Sequence, residues 1–501
     1  MNVFNPQKTY LALFFLCISF QLSIAQVGIG NTDPDPSSVL DVRSSTQGLL
    51  APRMTTTERL AISSPANSLL VYDTTEKSFY FYDLTNTSWI KLNNGATDKR
   101  NNYKLVKSAA DLAPELTAGG GSKYLLTSNT YYEINGVIVL TAPIDLNNAY
   151  VSGLDANEDI LFRSSGNVFA GSTGGSIRNV TITGGGTVFA INGPGMATSS
   201  TLLLQNTIIA SMASVGSISN IGLFFGNIVN YDSNTTGITY NNIGNLLLNN
   251  QGWFDTNNGT FETLTGTFGL VEKVSGFSTV NGSDVAFNVS SSPVVGNGVL
   301  NGTVFSGTTT APSGFVNRYG TGSYSGFNFN NNWTVNAPGI PRESNDVATG
   351  NINLTATISS PANTTFTGTG TTSRRKLNGT TTSTNLFRFE RSGNNKLIYR
   401  GNKNRFFQVN ASLSFSTSFP SGTPLVTTYV LYIAKGSGAG TASVIPETKV
   451  YGRLTTSTSE VIAVPIVGTI ELNTGDFIEV WAERESGNGN IESASLNVTI
   501  N

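Results

Sequence analysis

The stretch from Tyr124 to Gly307 restricts the fold more than any other part of the chain. It consists of short apolar runs set in Asn, Gly, Ser and Thr: SIRNVTITGGGTVFAI, LLLQNTIIAS, SISNIGLFFGNIVNY, GITYNNIGNLLLNN and FETLTGTFGLVEKV. Asparagine returns beside these runs at Asn179, Asn206, Asn220, Asn227, Asn242 and Asn245. Asn206 and Asn227 lie 21 residues apart, Asn220 and Asn242 22. Self-similarity at that period marks a solenoid, in which each turn covers the apolar face of the one before. The runs are β-branched, about 4–6 residues long, and carry no helical period. Asn and Gly tolerate the left-handed backbone of tight corners. The stretch is expected to be a right-handed parallel β-helix; a β-sandwich with degenerate strands is the alternative.

Composition agrees with an all-β chain. Only 12% of the 501 residues are charged, 53 are Gly, and strong helix formers are sparse. A net charge of -2 offers no basic field for nucleic acid. The single cysteine is Cys17, and there is no histidine. Disulfides, Cys/His zinc sites and His-dependent nucleophilic triads are therefore excluded from the mature chain. Lys8, the apolar run YLALFFLCISF and then QLSIAQ read as a signal peptide over 1–25, cleaved between Ala25 and Gln26. The run is too short to span a bilayer core of about 30 Å. No later run is long enough either, so an exported product without a membrane span is expected.

Residues 26–93 form an expected N-terminal β module, in which SLLVYD and SFYFYD are strands joined by a TTEK turn and Trp89 starts a third. Its aromatic row is either a packed strand pair or a sugar platform. The pieces VGIG, LDV, GLLAPRMT and LLVYDT with the closing Trp89 resemble the N-terminal module of exported surface and fibre-like proteins of the Bacteroidota. The resemblance implies an extracellular, modular protein displayed as a multimer.

Residues 94–123 are expected to be a linker and a capping helix on Leu105, Ala109, Leu112 and Leu116, shielding the first turn of a β-helix over 124–346. From YLLTSNTYYEINGVIVL onward the pattern resembles pectin-lyase-type β-helices. That family includes polysaccharide lyases, glycosidases, tailspikes and non-enzymatic adhesins. Candidate acids are Asp155, Glu158 and Asp159 in GLDANED, then Asp232, Asp255, Glu262 and Asp284; the few nearby bases are Arg163, Arg178, Lys273 and Arg318. Two carboxylates must face one groove for glycoside cleavage, and no lyase motif is present. LDANED reads more economically as a polar loop. Trp253, Phe254 and Asp255 sit together at a corner, as a stacking site for a sugar ring or as a partly buried cluster.

Residues 347–385 are read as a Thr/Gly/Asn-rich linker, with any strands in it pairing between chains. Over 386–501, FFQVNASLSF, YVLYIAKG, GTIELNTGDFIEVWAE and a last strand alternate as in a sandwich. Their order resembles the trimeric jelly roll of the complement globular head and tumour necrosis factor group, which implies a homotrimer. Nine bases from Arg374 to Arg405, beginning Arg374, Arg375 and Lys376, face one acid, Glu390; from Lys435 onward eight acids face four bases. This segregation is read as a register device between protomers, an anionic-glycan patch, or solvated loops. The sequence thus leads to a secreted, homotrimeric, fibre-like adhesin or glycan-binding surface protein, without a cofactor and with nothing to support calcium. A polysaccharide lyase or glycosidase, and a phage-derived tail-fibre-like protein, stand as alternatives.

Overall fold

The computed structural model describes residues 26–92, 101–419, 426–455 and 460–501. The expected leader, residues 1–25, and with it Ala25 of the proposed cleavage, lies outside these residues. The chain divides into two compact units, Met1–Arg100 and Asn101–Asn501.

In the first unit, Val27–Ile29 pairs in parallel with Leu40–Val42 as a two-stranded sheet. A four-stranded sheet follows, made of Arg53–Met54, Leu70–Asp73, Ser78–Asp83 and Ser88–Lys91. The meander read from LLVYD, SFYFYD and Trp89 is present. A short helix, Thr56–Leu60, starts with a reciprocal capping box between Thr55 and Glu58. It delivers Arg59 to the buried Asp73, with Nε 2.9 Å from Oδ2 and the guanidinium over the Tyr80 ring at 3.9 Å. Burial raises the Asp73 pKa, but the Glu76 and Thr75 amides, Arg59 and Thr56 outweigh it and hold it at about 2. The aromatic row is therefore packing: Tyr80 is buried, Phe79 meets Tyr72 and Trp89 meets Tyr82.

In the second unit a parallel β-helix rises through Tyr103, Tyr131, Tyr150, Ser176, Leu203, Phe225, Leu247, Glu272, Val299 and Thr334, each hydrogen-bonded rung beside the next. One continuous apolar core runs from Val106 to Ala337. Corners are built from left-handed residues. Asn220 and Asn242 stand one above the other, both with φ near +50°, and are followed by Gly266 at +76°. A second column holds Asn179, Asn206, Ile228, Asn250 and Ser275, with φ of 49–60°. Carboxamides pair from turn to turn, as in Asn206 to Asn179 at 3.2 Å and Asn220 to Asn192 at 2.6 Å.

Two expected boundaries change. Tyr103–Val106 is already a rung, paired with Tyr131–Ile134, so Leu105 belongs to a strand and not to a capping helix. Val106 faces the core, and the cap is confined to Ala109–Leu112 and Ala113–Ala118. Residues 347–385 are not a bare linker. Thr349–Leu354 lies between Thr381–Phe387 and Asn490–Ile500 in one sheet of the same chain. Ile352 is buried and Leu354, on the same face, packs partly against the core; the strand is flanked on both sides.

The C-terminal part is two antiparallel sheets over a shared core. Eight of its strands form the inner order of the two sheets, with Thr381–Phe387 at the edge of one of them: Thr349–Leu354, Leu397–Tyr399, Arg405–Ser418, Val426–Ser437, Val450–Thr455, Ile462–Leu472, Asp476–Ser486 and Asn490–Ile500. Counted in chain order, one sheet holds the first, eighth, third and sixth, and the other the second, seventh, fourth and fifth. The β-helix is locked to this sandwich. Arg388, fully buried, donates to the Asn331 and Trp333 carbonyls and to Asn345 Oδ1 at 2.6–3.0 Å. Phe387 stacks on Phe327 with ring centres 3.9 Å apart.

Candidate functional site

The acids of GLDANED do not converge on a groove. Asp159 is buried and accepts from the Gly136, Leu154 and Asp155 amides at 2.7–3.1 Å. Burial raises its pKa, and these amides more than reverse the effect, so the carboxyl stays below its usual range. Asp155 accepts from Asn157 as an Asx turn, and Glu158 is exposed. Asp232 accepts from the Thr256 hydroxyl and Asp284 from the Gly259 amide, both as corner ties.

Trp253 is wholly buried and stacks on Phe261 of the next turn at 4.4 Å, so it offers no face to a sugar. Of the two readings of this corner, a sugar-stacking site or a partly buried cluster, the first is corrected for Trp253: inward alternation at the end of Ile238–Trp253 takes the indole into the core. Phe254 is partly exposed but leans edge-on against Phe277, and Asp255 is exposed.

One acid and one base from the candidate set do meet. Lys273 Nζ lies 3.0 Å from Glu262 Oε2, and neither side chain reaches solvent. Tyr231, Tyr240 and the Phe261 ring surround them; burial pushes the Glu262 carboxyl and both phenols upward, against which Lys273 lowers Glu262. A period of two places both inward, Glu262 two residues before Leu264 and Lys273 two after Val271, which was a readable signal. Sealed from substrate, the pair is a structural element of the core.

The basic run is largely matched within its own chain. Arg374 Nε meets Glu483 at 2.7 Å and Lys376 Nζ meets Glu479 at 3.0 Å, while exposed Arg375 donates to the Arg374 carbonyl. Arg374 and Lys376 thus have acidic partners inside the single chain. Among the described residues, no three of His, Cys, Asp and Glu gather as they would around a metal ion. No helix there is long and apolar enough to cross a membrane.

A concave pocket of about 480 Å³ lies where the last turns of the β-helix become irregular, between residues 312 and 341. Phe315, Phe327, Ile340 and Pro341 form its walls, and Arg318 and Asn328 supply polar groups. The sequence reading placed Arg318 only among scattered bases; nothing in its local sequence marks a pocket, which is assembled from three separate segments.

Comparison with known families matches residues 28–105 to the family described as phage tail like trimerisation region. No curated protein matches the chain.

Proposed function

We propose that this chain is a homotrimeric, tail-fibre-like extracellular binding protein. The observation that carries the reading is the uncovered sheet of Val27–Ile29 and Leu40–Val42. Val27, Ile29, Leu40 and Val42 are 40–55% exposed in the single chain. Parallel sheets ordinarily have both faces covered, and two strands alone are marginal in water. Val39, Leu49 and Leu50, also exposed, extend the apolar surface. A surface of this kind marks an interface, and the match of residues 28–105, which takes in all of it but Val27, to a phage tail-like trimerisation region supports two further copies as its cover. The same match puts the phage-derived tail-fibre reading on an equal footing with a cellular surface fibre.

The first-eighth-third-sixth and second-seventh-fourth-fifth strand order supports reading the C-terminal sandwich as a jelly roll of the complement globular head and tumour necrosis factor kind. Phe406 and Val467, both more than half exposed on the outer face of the first of these sheets, are then further contacts between protomers. In this reading the leader exports the chain, the N-terminal module resembles that of Bacteroidota surface proteins, the β-helix is a stiff spacer and the fibre carries a glycan-binding site. Catalysis has no observation in its favour, since the one acid–base pair of the β-helix is sealed.

Sedimentation equilibrium of residues 26–501 tests the proposal. Three chain masses are expected, and a single chain mass across the micromolar range overturns it. Ile29→Asp with Leu40→Asp is expected to raise hydrogen exchange across 27–60, even where the C-terminal part keeps the trimer together.

A further inference from the structure

We infer that the pocket between residues 312 and 341 binds a uronic-acid unit of an acidic polysaccharide. The inference deepens the glycan-binding part of the proposed function and does not depend on the trimer.

At about 480 Å³ the pocket falls in the range of roughly 300–1,000 Å³ usual for small-molecule sites. It is far too small for a folded partner. Its walls are held in place from behind. Phe327 is fixed by stacking on Phe387 of the sandwich, and Phe315 by the Ala286 and Phe287 amides, which donate to its carbonyl. Gly339, at φ +94°, runs so close to the Phe305 carbonyl that a Cβ would meet its oxygen at 2.1 Å. The site is thus preformed, which keeps the ordering cost of binding low.

The chemistry of the lining selects the ligand. Arg318 is the only charged residue in it. Its guanidinium makes no hydrogen bond or ion pair with any described residue, and neither does the Asn328 carboxamide, although the Asn328 amide donates to Glu343. Glu343 itself is turned into the core, spent on the Asn328 and Phe329 amides. A planar guanidinium matches a carboxylate with two parallel hydrogen bonds. A free carboxamide supplies both a donor and an acceptor for a neighbouring hydroxyl. Phenylalanine, isoleucine and proline walls suit the apolar C–H face of a pyranose ring. One carboxylate, adjacent hydroxyls and an apolar ring face together describe a uronate. A bare phosphate would leave the apolar walls unused, and an acidic peptide would bring several charges to a single cation.

The test uses residues 26–501 and trimers of galacturonate, glucuronate and mannuronate, titrated calorimetrically beside galactotriose, inorganic phosphate and hexaglutamate. One uronate trimer is expected to bind at least about tenfold tighter than the neutral trimer. Arg318→Ala should weaken it by about tenfold or more, the range for a hydrogen bond to a charged group. Ser313→Trp, on the exposed rim, should block the pocket. Lys107→Ala, a remote exposed cation, should change nothing. Equal binding of galactotriose, phosphate or hexaglutamate, no binding of any uronate trimer, or unchanged affinity in Arg318→Ala would each overturn the inference. Sedimentation of the same samples separates the outcomes: a trimer that binds no uronate sinks the pocket alone, and a monomer that binds one sinks the trimer alone.

Discussion

Replacing Ile228 with asparagine should stabilise the β-helix, although it removes an aliphatic side chain. Ile228 sits at a corner with φ +55° and is 43% exposed. Its neighbours pair Asn227 with Gln205 and Val229 with Thr207 below, and with Asn249 and Gln251 above, so it occupies the level of Asn206 and Asn250. It is the β-branched member of a left-handed column otherwise made of Asn and Ser. The left-handed conformation costs an ordinary L-residue about 1–2 kcal/mol, from which Asn largely escapes. Against this stands the loss of a side chain a little over half buried. Full burial of Ile is worth about 1.5–3 kcal/mol, and Asn keeps part of the contact through Cβ and Cγ, so the loss is about 0.5–1 kcal/mol. A carboxamide bond to Asn206 adds about 0.5 kcal/mol at an exposed corner. The net is a gain of about 1 kcal/mol, or about 2–4 °C in Tm for a cooperative unit of this size. Thermal melts by circular dichroism read it directly. Asn250→Ile, the reverse exchange one turn up, should melt lower by a similar amount. An Ile228→Asn protein with unchanged secondary structure that melts at or below the parent would refute the reasoning.

Three further outcomes follow from buried groups. Lys273→Met or Glu262→Gln alone should cost about 3–5 kcal/mol by leaving a partner unpaired in the core, whereas Glu262→Leu with Lys273→Met should be neutral or stabilising by about 1–4 kcal/mol in urea unfolding. Burial raises Glu343 to about 7 from 4.5, partly offset by the Asn328 and Phe329 amides and Arg388. The folded state then holds a proton that the unfolded state has released, so stability should fall by about 3 kcal/mol as pH rises from 4.5 to 7 and level off above; Glu343→Gln should remove that slope. Arg388→Met leaves the Asn331 and Trp333 carbonyls without their donor and should cost about 3 kcal/mol, splitting calorimetric unfolding into separate β-helix and sandwich transitions.

The β-helix was legible because its corners need left-handed residues at every turn, and the 22-residue step from Asn220 to Asn242 is a true register step. The 21-residue step from Asn206 to Asn227 is not. Asn227 lies on the strand, laddered to Asn249, and the residue level with Asn206 is Ile228. Spacing alone does not separate corner asparagines from ladder asparagines, since both carry carboxamides that pair between turns. The sequence leaves Trp253 undecided for a related reason: its burial is decided by Phe261 on the following turn, not by its neighbours in sequence. Thr349–Leu354 went unread as a core strand because two apolar residues, Ile352 and Leu354, are a short alternation in a Thr/Asn-rich stretch, and its partners lie far along the chain. Arg388 was counted in a basic run, although its role depends on carbonyls more than fifty positions earlier.

What separates a structural polar group from a binding one in this molecule is whether the fold has already used it. Along the regular turns many carboxamides satisfy one another, Asn206 with Asn179, Asn249 with Asn227, Asn336 with Asn301. A saccharide approaching that flank exchanges its bonds to water for groups that must first give up a partner, and gains little. Two sandwich bases behave likewise: Arg374 and Lys376 already face Glu483 and Glu479, partly exposed pairs that contribute little to stability but occupy both charges. Where the rungs lose their regular spacing, past Ser306, the backbone opens a concavity whose lining includes a guanidinium and a carboxamide without protein partners. There a ligand's polar groups displace water alone, while its apolar face meets walls already in place. Ligand recognition by a β-helix of this kind is therefore expected at the irregular end that meets the sandwich, and a flank carrying many more hydroxyls and amides is expected to stay inert.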